Sequence, residues 1–266
     1  IMTLRHSADI YGNYNQNFYA DVCGNLGTGY LGTGVPLQTW LGMNGANTQY
    51  AYVSKWYNQG MDICFNSATQ YALGSQPVYD VANGVLNFGY QGAGGGVIAP
   101  QTNGYFNLPV GALPFNDQSY TYTYRHWNLY INLTNTIVSG GTSGQSNGFA
   151  VQVYSSGGSY NNEWYSQGVG VGTAIVPNSV YSATYASTGT ATIGSWNTYL
   201  NQNGTLSTNS TVGGSNLTIR HQPATNNAIG ANLAWGNPSL NGQLYNLYFF
   251  NTAIGLTDRQ AIEGTP

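Results

Sequence analysis

Short runs of β-prone residues follow one another along most of the chain, separated by Gly, Pro, Asn and Ser. The run at 119–132 alternates aromatic and polar residues over its first half, as a half-buried strand does. Further runs are 51–57, 85–90, 149–154, 168–176 and 180–185. Evenly spaced short strands, with no helical pattern before the C-terminus, predict an all-β fold made of two antiparallel sheets packed as a β-sandwich.

The C-terminal stretch predicts a central strand followed by a short helix. Asn241 and a glycine form a turn signal, and the run at 244–250 that follows has apolar side chains on both faces. Such a strand needs cover on both sides, which an edge strand lacks. Thr257 and Gln260 then fit a capping box, and Asp258 is placed well for the helix dipole.

Composition indicates a folded protein with a polar but weakly charged surface. Only 5% of the residues are charged, whereas the hydrophobic fraction of 41% is too high for a disordered chain. A net charge of −3 with five Lys plus Arg leaves no basic patch, which argues against nucleic acid and anionic membranes as partners. No apolar run approaches the roughly 20 residues of a membrane helix, so membrane insertion is not expected.

Cysteine and histidine give no sign of a metal site or a cofactor. Cys23 and Cys64 can form a disulfide or remain two free thiols, and the sequence leaves both possibilities open. The spacings of a Cys/His zinc site are absent, and His6, His126 and His221 are isolated from one another. We therefore expect no metal and no cofactor.

Two C-terminal segments carry a family resemblance. The turn, strand and helix of 241–263, and a Tyr-Leu-Asn hairpin at 194–206 that turns at Asn203 and Gly204, resemble concanavalin A-like lectin/glucanase domains. These are the laminin-G-like jelly-roll sandwiches. The resemblance implies the fold and is silent on activity.

An N-terminal set of separated residues carries a second resemblance, to the arabinofuranosidase-B-like catalytic domain. Related concanavalin A-like modules of large DNA virus and phage surface proteins are similar too. The matching residues are Leu4, Arg5, Ser7, Asp9, Trp56, Tyr57, Gln59, Ala68, Thr69, Gln70, Gln76 and Pro77. Because the two resemblances bracket almost the whole chain, we expect residues 1–266 to form one domain.

Two segments combine aromatic residues with Asn between Gly or Pro residues, and both are interpreted as loops. Flat rings stack on the apolar faces of sugars while amides hydrogen-bond the hydroxyls, so 157–165 and 231–238 are the candidate carbohydrate-binding loops. Their alternative role is to fold back as lids on the core. The candidate residues are Tyr160, Asn161, Asn162, Trp164, Asn232, Trp235 and Asn237.

Catalysis is not expected. Glycoside hydrolysis usually needs two carboxyl groups, and the arabinofuranosidase resemblance places Asn232 where that family has its acid. An asparagine cannot donate and recover a proton as a carboxylic acid does. If the protein were a hydrolase, Glu163, the only interior glutamate, would be its nucleophile.

The sequence thus predicts a non-catalytic carbohydrate-recognition and host-attachment module. The composition and the viral resemblance place it on a virion surface, as the head of a viral fibre, or elsewhere outside the cell. Its partner would be a cell-surface or cell-wall glycan. Affinity near the millimolar end, about −4 kcal/mol per site, would require avidity, for which a homotrimer is the expected assembly. The alternatives are a secreted glycoside hydrolase of the arabinofuranosidase-like group and a structural capsid or fibre module that binds other virion proteins.

Overall fold

The fold is defined by a computed structural model. It describes residues 1–6, 8–9, 11–21, 25–42, 50–57, 67–81, 83–89, 104–113, 120–128, 135–141, 148–156, 159–166, 169–174, 180–187, 197–202, 205–209, 226–233, 240, 242–250, 252 and 254–263.

Eighteen strands and two short α-helices lie within these described residues. The strands are β1 (Met2–His6), β2 (Asn15–Ala20), β3 (Leu26–Gly27), β4 (Ala51–Trp56), β5 (Ala68–Thr69), β6 (Val78–Asp80), β7 (Val85–Asn87), β8 (Phe106–Leu108), β9 (Tyr120–Asn128), β10 (Asn135–Gly141), β11 (Gly148–Ser156), β12 (Ser159–Ser166), β13 (Val169–Ala174), β14 (Val180–Ser187), β15 (Asn197–Gln202), β16 (Thr205–Asn209), β17 (Asn227–Ile229) and β18 (Gly242–Phe250). The helices are α1 (Leu37–Trp40) and α2 (Leu256–Glu263).

The strands pair in two antiparallel series, as the sequence predicts. The first runs β3-β2-β1-β4-β6-β7-β18-β9-β14-β15-β16. The second runs β5-β8-β17-β10-β11-β12-β13. They meet at β4, whose first two residues pair with β6 and whose last two pair with β5.

The core lies between these two series. It is built from apolar residues that alternate along each strand, because successive side chains point to opposite faces. The first series contributes Leu4, Phe18, Ala51, Val53, Tyr79, Leu86 and Leu244, and the second contributes Phe106, Leu108, Val138, Val151, Val153 and Ile229. The rings of Phe88, next to β7, and Phe106 in β8 meet edge to face at 5.9 Å, which joins the two series.

The predicted central position of the C-terminal strand is confirmed, with one difference. β18 lies between β7 and β9, and Leu247 and Phe249 pack on the core side. On the other side Tyr248 is 44% exposed and stacks on the ring of Phe250 at 6.3 Å. The second face is therefore only partly covered, and the two rings shield one another.

Helix α2 begins two residues earlier than the capping box predicts, because a Thr257 N-cap would make Asp258 the first helical residue. Leu256 is its first residue, so Thr257 lies inside the first turn together with Asp258. Helix ends commonly shift by one or two residues, and Asp258 keeps a position that suits the helix dipole. The helix lies against β9 and β14.

The hairpin predicted at 194–206 is confirmed, whereas the loop predicted at 157–165 is wrong. Gln202 pairs with Thr205, which leaves two residues between β15 and β16. Residues Ser159–Ser166 form strand β12, paired with β11 on one side and β13 on the other. Gly157 and Gly158 fall between paired Ser156 and Ser159, so this Gly-Gly pair is a hairpin signal.

Candidate functional site

A buried arginine connects two surface loops. Arg5, in the interior strand β1, is 4% exposed. Its Nε donates a hydrogen bond of 2.8 Å to Oε1 of Gln76, and its Nη1 donates to the carbonyl oxygen of Asp9. Its guanidinium lies 4.1 Å from the centre of the Tyr52 ring, a cation–π contact. Burial lowers the pKa of Arg5, and the nearby Tyr52 and Asp9 act in the opposite direction.

Tyr50 and Tyr52 form a pair of tyrosines in mutual contact beside this arginine. Their hydroxyl oxygens are 3.4 Å apart and their rings meet edge to face at 5.3 Å. Burial, followed by the hydrogen bond with Tyr52, raises the pKa of Tyr50 to about 12. The Tyr50 phenol therefore stays protonated at neutral pH.

The first loop, residues 70–76, is fixed by two buried glutamines. The Nε2 of Gln76 donates to the carbonyl oxygen of Gln70 at 3.0 Å. The Nε2 of Gln70 donates in turn to the carbonyl oxygen of Tyr105 at 3.2 Å. Between the two glutamines, Tyr71 is 75% exposed. The glutamines thus hold a loop that presents a tyrosine to solvent.

The second loop is organised by the carboxylate of Asp9. Oδ1 accepts the backbone N–H groups of Tyr11 and Gly12 at 3.2 and 3.0 Å, and Oδ2 accepts that of Tyr14 at 2.8 Å. Asn15 Nδ2 donates to the Gly12 carbonyl oxygen at 3.2 Å. Tyr11 and Tyr14 are 77% and 75% exposed. A short polar side chain bonding successive backbone donors is a common way to fix such a turn.

The two loops contact one another at Gly12. Its backbone has a left-handed φ of +73°, and a Cβ at this position would lie 2.7 Å from Cδ2 of Leu73. The two loops are therefore adjacent. We call their exposed side chains the tyrosine surface: Tyr11, Tyr14 and Tyr71, with exposed Asn13 and Asn15 in the same loop as the first two. Rings and amides of this kind can stack on apolar ligand faces and bond to hydroxyls.

A hydrogen-bonded network beneath the tyrosine surface joins residues from separated parts of the sequence. Four of the residues that carry the arabinofuranosidase-B-like resemblance, Arg5, Asp9, Gln70 and Gln76, belong to this network. They lie as many as 71 residues apart in the chain, a spacing that local secondary structure does not require.

The pKa of Asp9 leads to a test of this network. The backbone N–H of Tyr14, followed by those of its neighbours, holds the pKa of Asp9 below its ordinary value of 3.8. A lowered folded-state pKa stabilises the protein above the unfolded pKa, and this stabilisation is lost as the pH falls through the folded value. We expect Asp9→Asn to be less stable than the wild type at pH 7, and the difference in urea midpoint to shrink below about pH 4. A difference that is constant with pH would contradict this role.

The residues that the sequence predicts to bind carbohydrate do not belong to the tyrosine surface. Tyr160, Asn161, Asn162 and Trp164 lie in β12, where Trp164 pairs with Val151, whose other neighbour Val138 is a core residue. Glu163 pairs with buried Gln152. Asn232 is 1% exposed and follows Ala231, whose carbonyl oxygen accepts a hydrogen bond from Ser139. Trp235 and Asn237 lie outside the described residues.

The described candidates thus lie in or next to strands of the second series that are not neighbours. Asn232 follows β17, which β10 and β11 separate from β12. A glycan contact by these residues stays a prediction. The pairing of Cys23 with Cys64 also lies outside the described residues.

Sequence reasoning missed the tyrosine surface although a signal was present. Residues 11–15 read Tyr-Gly-Asn-Tyr-Asn, the same combination of aromatic residues and Asn beside Gly that defined the two chosen segments. Tyr71 carries no such signal, because only the fold brings its loop to Gly12.

Neither a metal cluster nor a membrane helix is found in the described part of the chain. There, no group of three or more His, Cys, Asp and Glu side chains lies close enough to hold a metal ion. Among the helices of those residues, none is both long and apolar enough to cross a membrane.

Comparison with solved structures supports the fold. A variant of a family 54 α-L-arabinofuranosidase, soaked with 4-nitrophenyl α-L-arabinofuranoside, matches with a TM-score of 0.61 and 13% identity. The match covers 98% of this chain and 57% of the enzyme, so the chain spans little more than half of the enzyme's length. The likeness is one of fold: a jelly-roll β-sandwich, as the concanavalin A-like resemblance predicts.

Other similar structures match only part of the chain. A pentraxin from Limulus polyphemus has a TM-score of 0.40 at 18% identity, over 57% of this chain and 72% of its own. The CBM40 of a Ruminococcus gnavus sialidase, bound to α2,3-sialyllactose, has a TM-score of 0.40 at 13% identity, over 55% and 83%. No family model and no curated protein matches the sequence.

Proposed function

We propose that this protein is a non-catalytic carbohydrate-recognition module that binds glycans of a cell surface or cell wall through the tyrosine surface. The observation that carries the proposal is that Tyr11, Tyr14 and Tyr71 are 75–77% exposed on two loops that buried Arg5 holds together. Three exposed rings on fixed backbone form a binding surface that loses little conformational entropy when a ligand stacks on it.

The proposal extends to host attachment by a virion-surface or other extracellular assembly, such as a homotrimeric fibre head. The support is the viral family resemblance and a chain with only 5% charged residues. Each site would bind weakly, with Kd near 1 mM or about −4 kcal/mol. Several sites on one assembly would then supply avidity without any new contact.

The non-catalytic part of the proposal rests on Asn232. The family resemblance aligns it with an acid, and an amide cannot act as a general acid. Because the fold neighbour is an arabinofuranosidase, arabinofuranose-containing glycans belong among the first ligands tested. Release of arabinose or another sugar that disappears in Glu163→Gln would overturn this part and establish a hydrolase.

The test of the binding proposal is a glycan array probed with the protein clustered on beads. The variant replaces Tyr11, Tyr14 and Tyr71 with alanine together. If each stacked ring contributes roughly 1 kcal/mol, this variant would lose about 3 kcal/mol of binding free energy, or about a hundredfold in affinity. The control for the triple tyrosine variant is Tyr248→Ala, which removes a 44% exposed tyrosine from β18. The control variant is expected to bind glycans like the wild type.

A second variant, with Trp164 and Trp235 both changed to alanine, separates this surface from the sites predicted by sequence. Binding that survives the triple tyrosine change and disappears in the tryptophan variant would move the site to β12 and its surroundings. An array without any bound glycan, alongside tight binding to a capsid protein, would replace the proposal with a structural virion role.

A further inference from the structure

We infer that the tyrosine surface selects uncharged glycans and discriminates against glycans that carry carboxylate or sulfate groups. The inference rests on the proposed function and specifies the ligand class of the same surface. It follows from where the described positive charges lie and from the one carboxylate at the base of the surface.

Arg5, the arginine beneath the tyrosine surface among the described side chains, is unavailable to a ligand. Guanidinium groups are the usual partners of carboxylates and sulfates because they donate two parallel hydrogen bonds. Arg5 is 4% exposed, and it donates to Gln76 and Asp9 while Tyr52 covers one face of its guanidinium. An anionic sugar could bind it only by displacing these internal partners.

Lys55, the second described cation, makes an internal contact as well. It lies in β4, and its Nζ is 4.4 Å from the centre of the Tyr57 ring. Tyr57 is tied to the sheet through the hydroxyl of Thr3. Among side chains that the structure describes, Arg5 and Lys55 are the lysine and arginine residues, and neither is part of the tyrosine surface.

The charge that the surface does present is negative. Asp9 accepts hydrogen bonds from the backbone N–H groups of Tyr11, Gly12 and Tyr14, and it is itself partly exposed. The same hydrogen bonds favour its ionised form at neutral pH. An anionic glycan at this surface would meet a like charge, and the chain's net charge of −3 adds to the repulsion.

The experiment uses matched glycan pairs that differ by one acidic group. Lactose and 3′- or 6′-sialyllactose form one set, and neutral arabino-oligosaccharides with and without a uronic acid form another. Bead-clustered protein is measured against each pair at about 20 mM and about 150 mM salt, because salt screens exposed charges. We expect the neutral member of a bound pair to bind at least threefold more strongly at low salt. The ratio of neutral to acidic glycan affinity should decrease at high salt and in the Asp9→Asn variant.

The outcomes separate this inference from the proposed function. Equal or stronger binding of the acidic members, lost in the triple tyrosine variant, would overturn the inference and leave glycan recognition standing. Binding of neither member at any concentration would overturn both. The salt dependence of the wild type decides the question even if Asp9→Asn does not fold.

Discussion

Changing Arg5 to methionine is expected to lower the free energy of unfolding by about 3 kcal/mol, since charged hydrogen bonds in a buried site are expensive to lose. The change leaves the buried Oε1 of Gln76 without this donor and removes the bond to the Asp9 carbonyl oxygen. Methionine keeps a similar length and apolar stem, so the loss is mainly in hydrogen bonding. Urea denaturation followed by circular dichroism measures the change.

The matched control is Lys55→Met, the same change of charge in a neighbouring strand. Lys55 contributes a cation–π contact with Tyr57 at 4.4 Å, so its loss should cost no more than about 1 kcal/mol. Arg5→Lys should be intermediate, because an ammonium keeps the charge but not the planar donor geometry. Equal losses for Arg5→Met and Lys55→Met would contradict the role of Arg5 as the connection between the loops.

Gly230→Ala is the second change with a large expected effect, about 4 kcal/mol of destabilisation from a forced clash together with backbone strain. Gly230 follows β17 with a φ of +84°, and a Cβ there would lie 2.2 Å from Cδ1 of the Phe88 ring. Phe88 is fully buried against Phe106, so its ring has no open space to enter. The same denaturation measurement applies.

Gly111→Ala separates the clash from the strain. Gly111 has the same φ of +84°, but no atom lies within 4 Å of a Cβ built there. The Gly111→Ala variant should be destabilised only by the strain of the left-handed conformation, about 1 kcal/mol. If both alanine variants lost the same stability, the close approach of Gly230 to Phe88 would not be what requires glycine there.

Much of the fold could be predicted because its signals are local. A β-prone run identified β4, alternation identified β9, and paired turn residues identified the β15–β16 hairpin. The error at β12 has a local cause as well, since Gly157 and Gly158 were interpreted as the start of a loop. Strand β10 was missed because Asn135–Gly141 ends in Ser-Gly-Gly, which has low strand propensity, although the strand lies between β11 and β17.

The site could be predicted only in its chemistry. The sequence analysis looked for rings combined with asparagine, and the proposed tyrosine surface has such residues, yet its exposed tyrosines lie in other segments. The loop of Tyr71 lies beside that of Tyr11 because Leu73 approaches Gly12, which is 61 residues away in the chain. The role of Arg5 depends likewise on a bond to Gln76 across 71 residues. Nothing in the neighbouring sequence encodes such contacts.

The central claim is that a glycan contacts the tyrosine surface, and ring-labelled tyrosine NMR tests it most directly. The protein would be titrated with the strongest ligand from the array, and its signals assigned by single substitution of Tyr11, Tyr14, Tyr71 and Tyr248. We expect the signals of Tyr11, Tyr14 and Tyr71 to shift together with one affinity while that of Tyr248 stays unchanged. Saturable binding that leaves those three signals unmoved would contradict the claim.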